Sequence, residues 1–521
     1  MAASHVFGLN AAVVQMIAMI GLAVGIDYTL FIVSRYREER ERGLAVIDAV
    51  TRAGDTASKA VLFSGLTVVV SLLGMLIVPW NLMTSILGAI GIVLVSVLMT
   101  LTLLPAVLGL LGDRINRGAI PFVGYRRATS DDHSGFWGWT SHAVMRRPIV
   151  SLVASAGLLL TLGSFTLSLE LGHANLSNLP EDSNSIRAVE IFEHEFAGAD
   201  YQPATIVVTA DDVTTPEVQL AMTNLLATLQ ADPIFGEATT VTSEQRDLVR
   251  IDVALNAGGD STEGIAAVER LRDEYLPPLF EPIAAEARVT GETASMMDVI
   301  DLARTYLPIV VAFVLTVSFL LLLLAFRSVI VPLKAITMNL LSVFASYGLL
   351  VLVFQKGFGA GLLGFQQVER IDSFVLLFLF CILFGLSMDY HVFLLSRIKE
   401  QFDRSGDNQQ AVTAGLQGTG RLITSAALIM VGVFGGFAAA ELANLQQFGF
   451  GLAAAVFLDA TIVRMILVPA SMALLGNRNW YMPAWLAWLP EIHIDGAPSH
   501  VTPEPRDLTD DSLLPEPALA D

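Results

Sequence analysis

The chain has 521 residues, 54% of them hydrophobic and only 15% charged, with a mean hydropathy of +0.62 and a formal net charge of −20. A soluble domain carries about 25% charged residues, so this balance excludes an ordinary soluble enzyme and points to the membrane. The acidic surplus argues against a nucleic-acid partner, and the single cysteine, Cys381, rules out an intrachain disulfide.

A bilayer core of roughly 30 Å needs about 20 apolar residues to cross it. Nine runs qualify, at about 10–34, 57–79, 84–111, 149–169, 306–326, 329–354, 373–395, 422–440 and 447–475. The opening "MAASHVFGLN" has no basic n-region, and the long apolar run after it contains Asp27, so it reads as a first span rather than a signal peptide. Residues 1–112 hold three spans, 113–148 read as a linker, and 149–169 are the fourth span.

The insert 170–304 is of a different kind. "NSIRAVEIFEHEF" (184–196) has helical spacing, "ATIVVTA" (204–210) reads as a strand and "TPEVQLAMTNLLATL" (215–229) as a helix. "EATTVTS" and "LVRIDVAL" pair as strands, "EGIAAVERLRDEY" (263–275) is a helix, and "EARVTGE" is a closing strand. The order β-α-β-β-α-β is that of a ferredoxin-like domain. Residues 305–477 supply five more spans, and 478–521 form an acidic tail that is Pro-rich and disordered from about Pro490.

Lysine and arginine set the topology. Segments 35–59, 112–148, 327–334 and 396–421 carry 6, 6, 2 and 4 of them, which marks these as cytoplasmic. The insert holds 25 acidic residues against 7 basic ones, and the parity of the spans places it outside, with the C-terminus inside.

The chain contains a repeat. "DYTLFIVSRYRE" (Asp27–Glu38) aligns with "DYHVFLLSRIKE" (Asp389–Glu400), and "LLPAVLGLLGDR" (Leu103–Arg114) with "LVPASMALLGNR" (Leu467–Arg478). Both copies start on the same side, so the repeat is parallel, an arrangement typical of secondary transporters. The second copy continues backwards into a helix, the insert and two further helices, which the first copy lacks. By this internal ruler the expectation is that roughly 210 residues are missing before Met1, a figure set by the repeat spacing of parallel transporter halves.

Asp27 and Asp389 are the residues that do not belong in apolar spans. A carboxylate at the bilayer centre costs at least about 2.5–3.5 kcal/mol. Each lies eight residues before an arginine, Arg35 or Arg397, which puts it roughly 12 Å inside the surface. Intramembrane acids of this kind mark proton relays by default. Tyr28 and Tyr390 come directly after them. Because neighbours on a helix point about 100° apart, each hydroxyl is expected to reach the carboxylate of the other copy. Gly21 and Gly25, four apart, leave room for a close helix approach.

Other polar residues in the spans carry weaker expectations. Asp459 and Arg464, five apart and hence about 140° apart on an α-helix, are expected to face different neighbours, in a structural role or as support of the relay. The first copy has no counterpart of either. Ser64 and Ser425 sit in matched helices, where hydroxyls commonly bond back to the backbone. His391 reads as an interhelical hydrogen-bonder. No GxxxxGK[ST] motif supports ATP drive, and no His, Cys or carboxylate set has metal-ligand spacing.

The stretches "GIDYTLFIVSRYREE", "FRSVIVPLKAITMNLLSV", "FGLSMDYHVFLLSRIKEQ" and "LDATIVRMILVPASMALLG" resemble the MMPL family of the RND superfamily. The resemblance covers nearly the whole chain outside 113–148 and the acidic tail. It implies a multi-pass plasma-membrane transporter, not an enzyme, that exports lipids or other hydrophobic compounds on the proton gradient and needs no cofactor. It further implies that 170–304 is a porter domain and that Asp27, Tyr28, Asp389 and Tyr390 form the proton site, with Ser64 close by. A family member has twelve helices and two porter domains against nine and one here. The expectation is therefore the C-terminal portion of an exporter, working with a complementing N-terminal half or as a homo-oligomer. The competing readings are a non-transporting membrane scaffold whose domain binds lipid or an envelope partner, and a sterol-sensing or protein-translocating relative with the same proton motif.

Overall fold

A computed structural model describes residues 11–80, 83, 85–116, 136–172, 183–195, 203–257, 259, 261–486 and 488–489. The expected disorder after Pro490 lies outside the described residues. Among them, nine helices are long and apolar enough to cross a membrane.

The first copy is α1 (Ala11–Glu41), α2 (Val46–Leu73) and α3 (Ile86–Leu111). The linker contains a short helix, α4 (Phe136–Arg146), before α5 (Pro148–Ser164). The strand β1 (Leu171–Gly172) leads into the α/β domain. That domain comprises α6 (Asn184–Glu195), β2 (Ala204–Ala210), α7 (Pro216–Ala231), β3 (Phe235–Thr242), β4 (Leu248–Leu255), α8 (Thr262–Arg270) and β5 (Ala285–Thr290). The helix α9 (Glu292–Phe326) starts inside the stretch expected to belong to the insert, because its amphipathic first turns continue into the apolar span. Then come α10 (Ile330–Leu350), the strand β6 (Ile371–Asp372), α11 (Ser373–Ser405), α12 (Asn408–Ala438) and α13 (Ala443–Leu458). A π-helical stretch, Asp459–Leu467, joins α13 to α14 (Val468–Leu475).

The α/β domain is an antiparallel sheet of order β3-β4-β2-β5, the topology of a ferredoxin-like fold. Alternation sets its one-sided core: Val249, Ile251, Val253 and Leu255 of β4 point inward with Ile206 and Val208 of β2. Leu225 of α7 and Val268 of α8 cover them.

In the helical part the two copies are interleaved. Helix α11 packs on α2, and α1 packs on α12, so each leading helix lies against the second helix of the other copy. Local chemistry delimits α11. The Asp372 side chain caps its start by accepting from Phe374 N at 2.9 Å, and Gly406 ends it in the left-handed region. Asp407 then caps α12 by accepting from Gln409 N at 2.8 Å. Most of α11 is enclosed by protein, which makes it the central post of the bundle.

Candidate functional site

Asp27 of α1 and Asp389 of α11 are both buried where the two copies meet. Close packing brings them there. Gly385, one turn before Asp389, lies so near α2 that a Cβ would sit 3.0 Å from the Val68 Cα. Gly21 on α1 lies as close to α3, where a Cβ would sit 2.6 Å from the Ile92 side chain, whereas at Gly25 it would make an ordinary contact, 3.9 Å from the Ser96 hydroxyl. Glycine at these crossings sets helix separation.

Each carboxylate is held by a hydroxyl from the opposite copy. The Tyr390 hydroxyl donates to Asp27 Oδ1 in a short hydrogen bond. The Thr67 hydroxyl lies 3.1 Å from Asp389 Oδ1 and 2.7 Å from the Ser64 carbonyl, with one proton to share between them. The second oxygens of Asp27 and Asp389 have no hydrogen-bond partner. Ser64 is adjacent to both Tyr28 and Asp389, although neither its hydroxyl nor that of Tyr28 closes a bond of ordinary geometry. Ser64 therefore departs from the backbone bonding expected of it, whereas Ser425 is exposed and donates to the Leu422 carbonyl at 2.9 Å.

Asp459 and Arg464 correct a second expectation. They do not face different neighbours: they form a buried ion pair. The 140° separation assumed an α-helix, but residues 459–467 run as a π-helix, whose i to i+5 register stacks these two side chains. The guanidinium also donates to the Ser387 carbonyl at 2.8 Å and lies 4.4 Å from the centroid of the Tyr390 ring. Its charge is felt at both Asp27 and Asp389.

Sequence reasoning missed Thr67, Ser387 and Asn339. Thr67 lies three residues after Ser64 on one helix face, the only signal available for it. The Ser387 hydroxyl sits 2.7 Å from Asp459 Oδ2 and 2.9 Å from Asn339 Oδ1 of α10. Asn339, Ser387, Tyr390, Asp459 and Arg464 border a cavity of about 20 Å³, above the roughly 10–15 Å³ that one water requires. His391 is not the interhelical bonder expected; its Nδ1 lies 3.4 Å from the Ser387 carbonyl on its own helix, and its Nε2 is unpartnered.

On the side where α1 and α11 end, Arg35, Glu38 and Arg397 border a larger cavity of about 230 Å³ together with Phe31 and Phe393. These two rings, one turn beyond Asp27 and Asp389, meet edge to face with centroids 5.0 Å apart.

The model of the MMPL family matches residues 1–151 and 177–496. The chain is 35% identical to the "Mycolic acid-containing lipids exporter MmpL11" of Mycolicibacterium smegmatis, over 98% of this chain and 53% of that protein. It is equally similar, at 35% over 98% of this chain and 52% of the other, to the "Heme uptake protein MmpL11" of Mycobacterium tuberculosis. The "Trehalose monomycolate exporter MmpL3" of the same species is 32% identical over 90% of this chain and 52% of its own length. The chain thus spans about half the length of these relatives. The chain belongs to the MMPL family of the RND superfamily.

Proposed function

We propose that this chain forms the proton-coupling core of an exporter of lipids or other hydrophobic compounds, with Asp27, Tyr28, Asp389 and Tyr390 as the proton site. The observation that carries this reading is the imbalance of charge at the centre: three buried acids, Asp27, Asp389 and Asp459, share one guanidinium, that of Arg464. An unpaired charge in low dielectric is costly enough that such groups exchange protons instead of staying ionised. Two carboxyls in surplus therefore make a place where protons are taken up and given back.

The geometry supports a coupling to helix position. Protonation of Asp27 weakens what Tyr390 donates to, so α1 and α11 hold each other differently in the two states. Ser387 has one hydroxyl proton for two acceptors, Asp459 and Asn339, and its choice ties the charge of the ion pair to α10. Ser64, Asp459 and Arg464 support the relay in this reading.

The insert carries 25 acids against 7 bases, and its long-range potential disfavours free anions. Neutral or cationic amphiphiles fit that field better than a dianionic porphyrin. Vesicles from cells expressing the chain, loaded with a pH-sensitive dye and given an imposed pH gradient, test the proposal. Asp27→Asn and Asp389→Asn are each expected to reduce proton flux and export to background while the protein still folds, since the amide keeps the volume but carries no proton. Retained coupled export in both variants overturns it.

A second reading is a scaffold whose α/β domain binds lipid or an envelope partner. It expects no flux to lose, and instead a change in oligomeric state when the carboxylates are replaced. Native mass spectrometry in detergent separates the two: transport by this chain is expected to go with a second copy or a complementing polypeptide.

A further inference from the structure

After α14 the chain does not simply run off into water. A 3-10 turn, Gly476–Trp480, folds it back under the bundle. Asn479 is fully buried and serves four bonds. Its side-chain amide donates to the Met472 and Gly476 carbonyls at 2.9 and 2.6 Å. Its carbonyl accepts from Ser328 at 2.6 Å, and its Oδ1 from Lys334 at 3.3 Å. Val329 N donates to the Tyr481 carbonyl at 3.2 Å. The Trp480 ring stacks on Phe402 of α11, centroids 5.5 Å apart, with the Lys399 ammonium 5.0 Å from its centroid. Residues 478–486, expected to belong to the tail, are thus part of the folded body.

Beyond this clamp the chain is apolar and uncovered. Tyr481, Trp485 and Trp488 are 58%, 74% and 76% exposed. No residue from Asn479 to Pro490 carries a charge. The exposed apolar surface continues into Leu474 and Leu475 at the end of α14 and Leu333 in the first turns of α10, which are surfaces of membrane-spanning helices. The segment sits beside the turn that holds Arg327, where two spans leave the membrane. Large aromatic rings with one polar edge concentrate at that depth, between hydrocarbon and headgroups.

We propose that residues 481–486 and 488–489 form an interfacial anchor that lies in the headgroup layer, with the Trp485 and Trp488 rings inserted into it. Its partner is a neutral or zwitterionic lipid surface. The anchor has no cation to attract anionic headgroups, and residues 491–521 after it carry eight acids against one arginine, which such headgroups repel. Through Trp480, Phe402 and Lys399 the anchor fixes the depth of α11, the helix that bears Asp389.

The test uses the full chain with Trp80, Trp137, Trp139 and Trp480 replaced by Phe, leaving two fluorophores. It is reconstituted into phosphatidylcholine vesicles brominated either just below the headgroup or near the chain ends. Stronger quenching by the shallow label, weak quenching by aqueous iodide, and no gain on adding phosphatidylglycerol are expected. Quenching by iodide alone means the segment lies in water, and quenching by neither means that protein covers it; either result overturns the proposal. If the four-fold variant misfolds, Trp485→Phe/Trp488→Phe in the natural background answers the same question. It is expected to remove the largest part of the shallow-label quenching, and an unchanged shallow signal overturns the proposal. Proton flux is not read, so failure of the relay leaves this test intact.

Discussion

Helices α3 and α13–α14 are matched through "LLPAVLGLLGDR" and "LVPASMALLGNR", yet they live in different surroundings. Leu94, Met99 and Leu103 of the first copy are 55%, 48% and 56% exposed, while their counterparts Leu458, Val463 and Leu467 are 6%, 0% and 3% exposed. The cover in the second copy is α5, which packs on the π-helical stretch and on α14, and α10, which packs on α13 and on the π-helical stretch. They approach each other so closely that Gly348 of α10 lies against the Leu162 backbone of α5 with no space for a side chain. On the same alignment Val95 and Thr100 of the first copy stand where Asp459 and Arg464 stand in the second. The charged pair of the second copy is enclosed by protein, while of the matched residues Val95 is 46% exposed and Thr100 is buried. Enclosure of the pair is what the cost of charge in hydrocarbon requires.

The comparison breaks most visibly at the shared centre. Asp27 and Asp389 belong to different copies, and in the proposed relay neither substitutes for the other, so each single Asn variant is expected to lose all gradient-driven flux in the vesicle assay. One surviving variant would mean that the copies are redundant. The next largest effect separates the copies: Arg464→Leu leaves Asp459 buried without its cation and is expected to cost about 3–5 kcal/mol, whereas Thr100→Val at the matched site is expected to stay within about 1 kcal/mol. Thermal unfolding in detergent reads both, and equal shifts would erase the distinction drawn between the walls.

Packing gives the third test. Gly385→Ala places a Cβ 3.0 Å from the Val68 Cα and is expected to cost about 1–3 kcal/mol by overpacking, with the hydrogen bond from Thr67 to Asp389 lost as α11 moves away. Its counterpart, residue 23, is already alanine and is buried. The smallest effect is at the serines. Ser425→Ala removes one exposed bond to its own helix and is expected to change neither stability by more than about 0.5 kcal/mol nor flux. Ser64→Ala is expected to leave stability similar but to shift the pH dependence of flux, and an unshifted profile would return Ser64 to a packing role.

Much of the architecture is legible in the sequence because the signals are long. Nine apolar runs, the insert and its β-α-β-β-α-β order come from span length and alternation, and the repeat from matched motifs. The missed features depend on short-range register. Nothing in "DATIVRM" announces that its hydrogen bonds slip from i+4 to i+5, so α-helical geometry puts Asp459 and Arg464 on the wrong faces. The helix α4, 11 residues long, is too brief for periodicity to separate it from a linker. Asn479 is hidden by the composition of the tail, although its burial is what folds residues 476–486 under the bundle. Thr67 is an ordinary helix threonine until α11 is laid beside it.

The two-residue parallel pairing of β1 with β6 has a mechanical consequence. Leu171 and Gly172 stand at the exit of α5 towards the α/β domain, and Ile371 and Asp372 immediately precede α11. Ser373 donates to the Gly172 carbonyl at 3.0 Å, and Ile371 N to the Glu170 carbonyl at 3.0 Å. The stem of the α/β domain and the head of the Asp389 helix are therefore one joint. Asp389 lies seventeen residues along α11 from Asp372, a stiff arm of about 25 Å at the rise of an α-helix. Swinging that arm by about 5° displaces its carboxylate by about 2 Å, enough to carry it out of hydrogen-bond range of Thr67. The β1–β6 joint and the Asp389 carboxylate are thus the two ends of one continuous helical arm.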